Sequence, residues 1–345
     1  MLKELESCRA RIEALRFSGE RQSCSQHKKF AVDAQRIRDS LFSQELSISS
    51  AVTPTLDESV LNVSHRLEIP RACIHVFVFP GPDLNAQCLL GTDGECIVRF
   101  SSALIDLLSP KEFEFVLGHE IAHFLLRHYR TEFFGQPHSI ESLMHDRAME
   151  ISADRIGLVA SGAIDVAIRA LIKTASGLND RHLRFDVSSF MRQMDKIEGT
   201  DTRAAESTHP SILIRCRALI WFSLNEDFYT GNLQFSSKNL IQIDKRIEED
   251  LQRFIDGPAK QKIANAERDV AMWMRAKTIV AKGTFTKDEQ SKFKDEFGDQ
   301  MLVKMTTFLK GLSKSESIDT VEAKLNESLS YLSTLSPTAS RAWRS

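Results

Sequence analysis

The stretch Gly118-His119-Glu120-Ile121-Ala122-His123 lies inside an apolar run over residues 113–126. In an α-helix, residues four apart lie one turn above each other, so both histidine rings can reach one ion. Neutral imidazoles at this spacing suit zinc, and the glutamate between them lies beside the position of a zinc-held water. The stretch therefore predicts a metal-binding helix that also carries a carboxylate base. The simpler alternative is a core helix whose histidines are only polar neighbours of apolar side chains.

A second pair of side chains, Glu150 and Asp154, follows in a segment that reads as a helix over residues 140–160. A zinc ion with two histidine ligands needs a third protein ligand and an open position for water, and Glu150 can be that ligand. Asp154 lies one turn further on, where it can accept a hydrogen bond from the outer N–H of a ligating histidine. Two alternatives stay open here: an exposed acidic stripe, or a third ligand from His138 or His145.

These motifs resemble those of the M48 family of zinc metallopeptidases, which are gluzincins. The resemblance extends from about Leu56 to about Leu219, roughly half of the chain. Its remaining parts are an Asn85-Ala86 pair before a strand and the segment Ser207-Thr208-His209-Pro210-Ser211, with Arg215 six residues after the histidine. The order and spacing of the motifs carry the resemblance, because each motif alone is a modest signal.

The resemblance implies a role for each matching residue. One zinc ion per chain is expected on His119, His123 and Glu150, with Glu120 as the general base. Near the active-site cleft the family pattern implies Asp154, Asn85, His209 and Arg215, of which His209 is a further catalytic candidate. The implied fold is α+β and mostly helical, with a gluzincin-type core, a small β-sheet, the HExxH helix and a helical C-terminal domain.

Composition argues against several other kinds of protein. The net charge is −2 and the chain has no basic excess, so we expect no nucleic-acid partner. A membrane span needs about eighteen consecutive apolar residues, and no window of the sequence approaches that. The charged N-terminus also lacks the apolar core of a secretory signal. We therefore expect a soluble, cytoplasmic protein. The best-known M48 members are integral membrane proteases, so their role in membranes does not carry over.

We expect three parts: an N-terminal helical arm over residues 1–48, an M48-like zinc peptidase domain over 49–224, and a helical C-terminal domain over 225–345. In the first part, one apolar face predicts a packing hairpin or an interaction arm. That face comprises Leu5, Cys8, Ile12 and Leu15. In the third part, an apolar stripe from Leu240 to Phe254 is expected to end at Gly257-Pro258.

The zinc helix itself is expected over about residues 110–130, with Ser109 as its cap and Glu112 completing a capping box. His128 follows His123 by five residues, which turns it away from the ligand face of a continuous helix. We therefore interpret His128 as a surface or helix-end residue and not as a ligand. Before this helix, we expect a strand over 73–79 and a hairpin of two strands over 86–90 and 95–101.

Together these features predict a zinc-dependent metalloendopeptidase. Glu120 would take a proton from the zinc-activated water and pass it to the leaving amine. We expect the polypeptide substrate to bind extended along an edge strand, and a protein partner can use the N- or C-terminal helices. The alternative is a catalytically silent or self-inhibited metal-binding module of regulatory or chaperone-like type. A closed structural metal site is a third option.

His209 generates a prediction of its own, because Pro210 forces it out of the α region and exposes its side chain. As a hydrogen-bond donor to the oxyanion, its loss in His209→Ala lowers the rate of casein hydrolysis about a hundred-fold. As a fourth metal ligand that holds the enzyme shut, its loss raises the basal rate instead. We expect the loss of rate, and an unchanged rate would eliminate both roles.

Overall fold

The structure is a computed structural model that describes residues 2–20, 34–89, 94–128, 139–196, 211–230, 235–311 and 314–344. By its internal contacts the chain divides into two units. The first comprises Met1–Glu132 with His145–Phe254, and the second comprises Phe133–Met144 with Ile255–Ser345. The three parts expected from the sequence are not tested by this division and stay a prediction.

The described residues are mostly helical. The helices are α1 (Leu2–Glu13), α2 (Ala34–Gln44), α3 (Pro54–Arg66), α4 (Ser102–Leu107), α5 (Pro110–Leu125), α6 (Ile140–Ser161), α7 (Ile164–Ser176), α8 (Val187–Met191), α9 (Ile212–Ser223), α10 (Ser237–Leu251), α11 (Gly257–Lys282), α12 (Lys287–Phe297), α13 (Asp299–Lys310), α14 (Lys314–Leu335) and α15 (Pro337–Arg344). None of these described helices combines the length and the apolar character needed to cross a bilayer.

A four-stranded mixed sheet belongs to the first unit. Its strands are β1 (Leu46–Ser47), β2 (Ile74–Phe79), β3 (Ala86–Leu89) and β4 (Cys96–Ser101), in the order β1-β2-β4-β3. The central pair β2–β4 is parallel, whereas β1 and β3 pair antiparallel and lie at the two edges. Helices with one small mixed sheet confirm the expected α+β, mostly helical fold class. The predicted hairpin is β3–β4, although its turn lies outside the described residues.

Helix α5 starts as the sequence predicts and ends earlier. The Ser109 side chain accepts from the backbone of Glu112, whose own side chain accepts from the backbone of Ser109, so the capping box is present. The helix ends at Leu125 instead of near residue 130, because Arg127 has φ +57° and turns the chain away. A left-handed residue commonly ends a helix, but it is usually glycine, so no residue type marks this helix end in advance.

The N-terminal helix α1 packs into the main core of the first unit. Three side chains of α1 and one that follows the helix are fully buried there, together with side chains of α3, α5 and the sheet. The four are Leu5, Cys8, Ile12 and Leu15. Their burial favours packing, one of the two interpretations that the apolar face allowed. Just after α1, Arg16 Nη2 donates to the carbonyl of Leu126 at 2.9 Å and so caps the C-terminal end of α5.

The helix break expected at Gly257-Pro258 is wrong in one respect. Gly257-Pro258 starts α11 and does not end the preceding apolar stripe, because α10 already ends at Leu251 and a π-helical turn follows over Gln252–Asp256. Proline is tolerated in the first helical turn, where its missing N–H has no partner to lose. The predicted capping box of Thr286 and Glu289 at the start of α12 is present.

The feature that brings the two site helices together is a close crossing of α5 and α6 at two glycines. A Cβ atom on Gly118 would collide with the Cβ of Ala160, and one on Gly157 would lie 2.8 Å from the carbonyl oxygen of Phe115. Real Cβ atoms do not approach a neighbour this closely. The two backbones therefore touch, and any side chain at either glycine forces them apart.

We expect Gly118→Ala and Gly157→Ala each to lower the free energy of unfolding by about 1–3 kcal/mol, because a methyl group overpacks the crossing. Urea unfolding of the purified variants measures this. Gly311→Ala is the matched control, since a Cβ there meets only carbonyl oxygens at 3.6 and 3.7 Å and φ is −85°. Equal stability of all three variants would contradict the crossing.

Candidate metal centre

Three potential ligands converge where α5 and α6 cross. His119 and His123 come from α5 and Glu150 comes from α6, and one ligand atom of each lies within 4.8 Å of the others. The two Nε2 atoms are 3.3 Å apart. Glu150 places one oxygen 3.5 Å from His119 Nε2 and the other 3.6 Å from His123 Nε2. All three side chains are largely or partly buried, so water does not fully solvate the cluster.

The outer nitrogen of His119 is held by Asp154. The distance from His119 Nδ1 to Asp154 Oδ1 is 3.0 Å. Arg215, from α9, donates to both oxygens of that carboxylate at 2.6 and 2.7 Å and lies 3.6 Å from Glu150. Burial raises the pKa of Asp154, but the charge and hydrogen bonds of Arg215 outweigh it, so the pKa is lowered overall. Asp154 is therefore an ionised acceptor, and His119 Nδ1 carries the proton.

The outer nitrogen of His123 is held differently. His123 Nδ1 lies 2.7 Å from His128 Nδ1, and His128 Nε2 lies 3.3 Å from a carboxylate oxygen of Glu20. His128 is buried, which contradicts its interpretation as a surface residue. The early end of α5 at Leu125 is the reason, because the left-handed Arg127 returns the chain and directs His128 towards His123. Sequence reasoning missed this contact, since a continuous helix separates the two rings.

The two histidines of the cluster have opposite pKa shifts. For His119, burial lowers the pKa, but the hydrogen bond to Asp154 and the charge of Glu150 raise it overall. For His123, burial and the neighbouring rings of His119 and His128 lower the pKa well below its ordinary value. Burial, with the charge of Arg16 second, lowers the pKa of His128 to about 3. His123 and His128 are therefore neutral rings at pH 7.

Glu120 lies between the two histidines of α5 and beside the edge strand β3. Burial raises the pKa of its carboxyl group, which the charge of His119 opposes. The carboxylate also accepts a hydrogen bond from the backbone of Cys88, in β3. A carboxylate with a raised pKa that is close to imidazoles and partly exposed is suited to accept a proton.

The donor set fits a divalent transition-metal ion such as zinc. Unprotonated Nε2 atoms of His119 and His123 present lone pairs, and Glu150 adds a carboxylate. Three acceptors that face one another at 3.3–3.6 Å repel unless a cation lies among them. Two imidazoles and one carboxylate are also a ligand set of catalytic zinc sites, in which a fourth position stays open.

The remaining predicted site residues divide into those near the cluster and those that are not described. Asn85 precedes β3, where its backbone N–H donates to Ser101 Oγ and its carbonyl accepts from the N–H of Ser101. His209, the further catalytic candidate, lies outside the described residues, as does His138. His145, in α6, is buried, and among the described residues the three-ligand group contains Glu150 in its place.

Residues 50–145 match the sequence model of peptidase family M48. The match shows that this segment is similar to the M48 family. The matched segment contains the HExxH motif of α5 and ends before Glu150, so the case for Glu150 as third ligand rests on the geometry of the cluster. The M48 assignment implies a metallopeptidase, a hydrolase that acts on polypeptides. No curated protein and no solved structure matches the chain.

The ion pair of Arg215 with Asp154 generates a prediction about stability. We expect Arg215→Met to lower the free energy of unfolding of the metal-free protein by about 3–5 kcal/mol, because Asp154 keeps a buried charge without its partner. Arg215→Met combined with Asp154→Asn should recover part of this loss, which a double-mutant cycle in urea measures.

Arg217→Met is the matched control for this pair on the same helix. Arg217 pairs with Asp250 at 2.5 Å, but its side chain is 37% exposed, so we expect a loss of less than about 1 kcal/mol. Equal losses at positions 215 and 217 would contradict a special role for the buried pair.

Proposed function

We propose that the chain is a zinc-dependent metalloendopeptidase in which Glu120 is the general base. The observation that carries the proposal is the convergence of His119, His123 and Glu150, with Glu120 beside them on the same helix. The M48 assignment supports the reaction class. The geometry supports the choice of the three ligands, because their Nε2 and carboxylate atoms face one another.

His119, His123 and Glu150 would hold the ion. A zinc ion there supplies Lewis-acid chemistry, which brings the pKa of water from about 15.7 towards about 7. The protein contributes rigid ligands, because α5 and α6 are packed backbone to backbone at Gly118 and Gly157. It also contributes orientation, because Asp154 fixes the ring of His119.

Glu120 moves the proton in the proposed reaction. Its carboxylate accepts a proton from the attacking water and later donates it to the amine that leaves. The raised pKa, which comes first from burial, makes the carboxylate a stronger base towards the attacking water. Arg215 stays charged beside Asp154 and Glu150 and balances their negative charge. We retain His209 as a proposed oxyanion donor on the argument from the sequence alone.

The edge strand β3 supports an extended polypeptide as the substrate. Ser101 N–H donates to the carbonyl of Asn85, so residues 85 and 101 form a hydrogen-bonded antiparallel pair. In the alternation of such a ladder, Ala86 and Cys88 then direct their N–H and C=O groups away from β4. Outward groups on an edge strand can pair with a peptide backbone. The N–H of Cys88 instead donates to Glu120, which places the outward groups of Ala86 and the carbonyl of Cys88 close to the proposed base.

The test of the proposed function is Glu120→Gln. We expect this variant to bind one Zn²⁺ per chain and to lose casein hydrolysis by at least about a hundred-fold, because the base is removed and the ligands are kept. Metal analysis and a fluorescent casein assay, with and without a chelator, measure both properties. Glu114→Gln makes the same change in the same helix, where the carboxylate contacts Asn62 and Lys111, and should keep its activity.

The result also separates the alternative of a silent metal-binding module. Zinc binding without chelator-sensitive hydrolysis in the natural sequence would favour that module. Near-normal turnover by Glu120→Gln would show that the proposed mechanism is wrong.

A further inference from the structure

We infer that His128 and Glu20 are positioning residues for the metal site, which together fix the ring of His123 with its Nε2 lone pair directed at the ion. The inference rests on the proposed metal centre and adds to it two residues outside the HExxH and Glu150 motifs. One of them, Glu20, lies in the N-terminal segment, more than a hundred positions before His123 in the sequence.

The first step is the proton on His128. Its Nε2 atom lies 3.3 Å from Glu20 Oε1, and both side chains are nearly fully buried. A carboxylate oxygen carries lone pairs and partial negative charge, and Glu20 also forms an ion pair with Arg16. At 3.3 Å this oxygen would repel a lone pair on Nε2, so the contact favours the tautomer of His128 with its proton on Nε2. As a neutral ring it then has a lone pair on Nδ1.

The second step transfers this choice to His123. The two Nδ1 atoms are 2.7 Å apart, a distance at which one of them donates and the other accepts. Because His128 Nδ1 is the acceptor, His123 Nδ1 is the donor. The remaining nitrogen of His123, Nε2, is then unprotonated and faces His119 and Glu150. The opposite tautomer would direct an N–H at the ion and prevent binding.

The third step is what holds Glu20 in place. Ser152, on the same helix as Glu150, donates to Glu20 Oε2 at 2.5 Å and accepts from the backbone N–H of Phe17 at 3.0 Å. Arg155, one turn further on, donates to the carbonyl of Leu15. The N-terminal segment over residues 15–20 is thus bound to the helix that supplies the third ligand. Its carboxylate stands at a fixed distance from His128.

The two histidine ligands are therefore oriented by separate arms. Asp154 and Arg215 orient His119, and Glu20 and His128 orient His123. A ligating histidine normally donates its outer N–H to a carboxylate, a carbonyl or a water, and losing that partner costs about 10- to 100-fold in metal affinity. Here the imidazole of His128 is the partner of the outer N–H of His123, and the carboxylate of Glu20 orients that imidazole in turn.

Zinc affinity of His128→Phe tests the inference, because phenylalanine keeps a ring and removes the acceptor. We expect its affinity for Zn²⁺, measured by competition with a chromophoric chelator, to fall about 10- to 100-fold. His128→Asn restores an oxygen acceptor near the position of Nδ1 and should recover most of that loss. His65→Phe makes the same change at an exposed position of α3 and should bind Zn²⁺ as the natural sequence does.

Nitrogen-15 NMR of the histidine rings in the metal-free protein tests the tautomer directly. We expect His123 to carry its proton on Nδ1 in the natural sequence and on Nε2, at least in part, in His128→Phe. His119 should stay protonated on Nδ1 in both, because Asp154 orients it. If His128→Phe does not fold, the tautomer of His123 in the natural sequence still tests the inference.

Two results would overturn the inference: a proton on Nε2 of His123 in the natural protein, or natural zinc affinity in a folded His128→Phe. Neither readout uses proteolysis, so the two proposals can fail separately. Failure of the natural sequence to bind Zn²⁺ would remove the proposed function, whereas the ring tautomers would still decide the positioning role.

Discussion

The metal centre depends on how closely two helices can approach. Side chains from α5 and α6 face one another at the proposed ion while the two helix backbones are nearly in contact. Gly118 and Gly157 permit that contact, and each stands within a few residues of a ligand. The glycine before the first histidine of the motif thus has a packing role, which is separate from the chemistry of the histidines.

Around this contact, charged groups are buried in compensating pairs. Asp154 is balanced by Arg215, and Glu20 by Arg16. Arg155 adds a third pair with Asp244, and the guanidinium of Arg155 lies against the rings of Phe17 and Phe222. Buried ion pairs add little net stability, but their geometry is specific, since breaking one leaves a charge without a partner. This explains how side chains as polar as these keep fixed positions in an otherwise apolar core.

The sequence was informative where local rules apply. The capping box at Ser109, the spacing of the two histidines and the helical spacing of Glu150 and Asp154 all follow from helix periodicity. It was uninformative where a single residue departs from its usual conformation. The left-handed Arg127 ends α5 early, and no glycine marks the position. The π-helical turn before Gly257 is a similar case, since the stripe of α10 continues without a visible break.

Contacts between distant segments could not be predicted from the sequence, for another reason. Glu20 and His128 lie in segments that sequence patterns treat separately, and only the folded chain brings them together. The same feature has a consequence for synthesis. The groups around the cluster extend from Glu20 to Arg215, so a growing chain cannot complete the centre until most of the first unit has left the ribosome. Until then any hydrolytic activity of the centre is withheld, so the unfolded segments of the first unit are not exposed to it while they are being made.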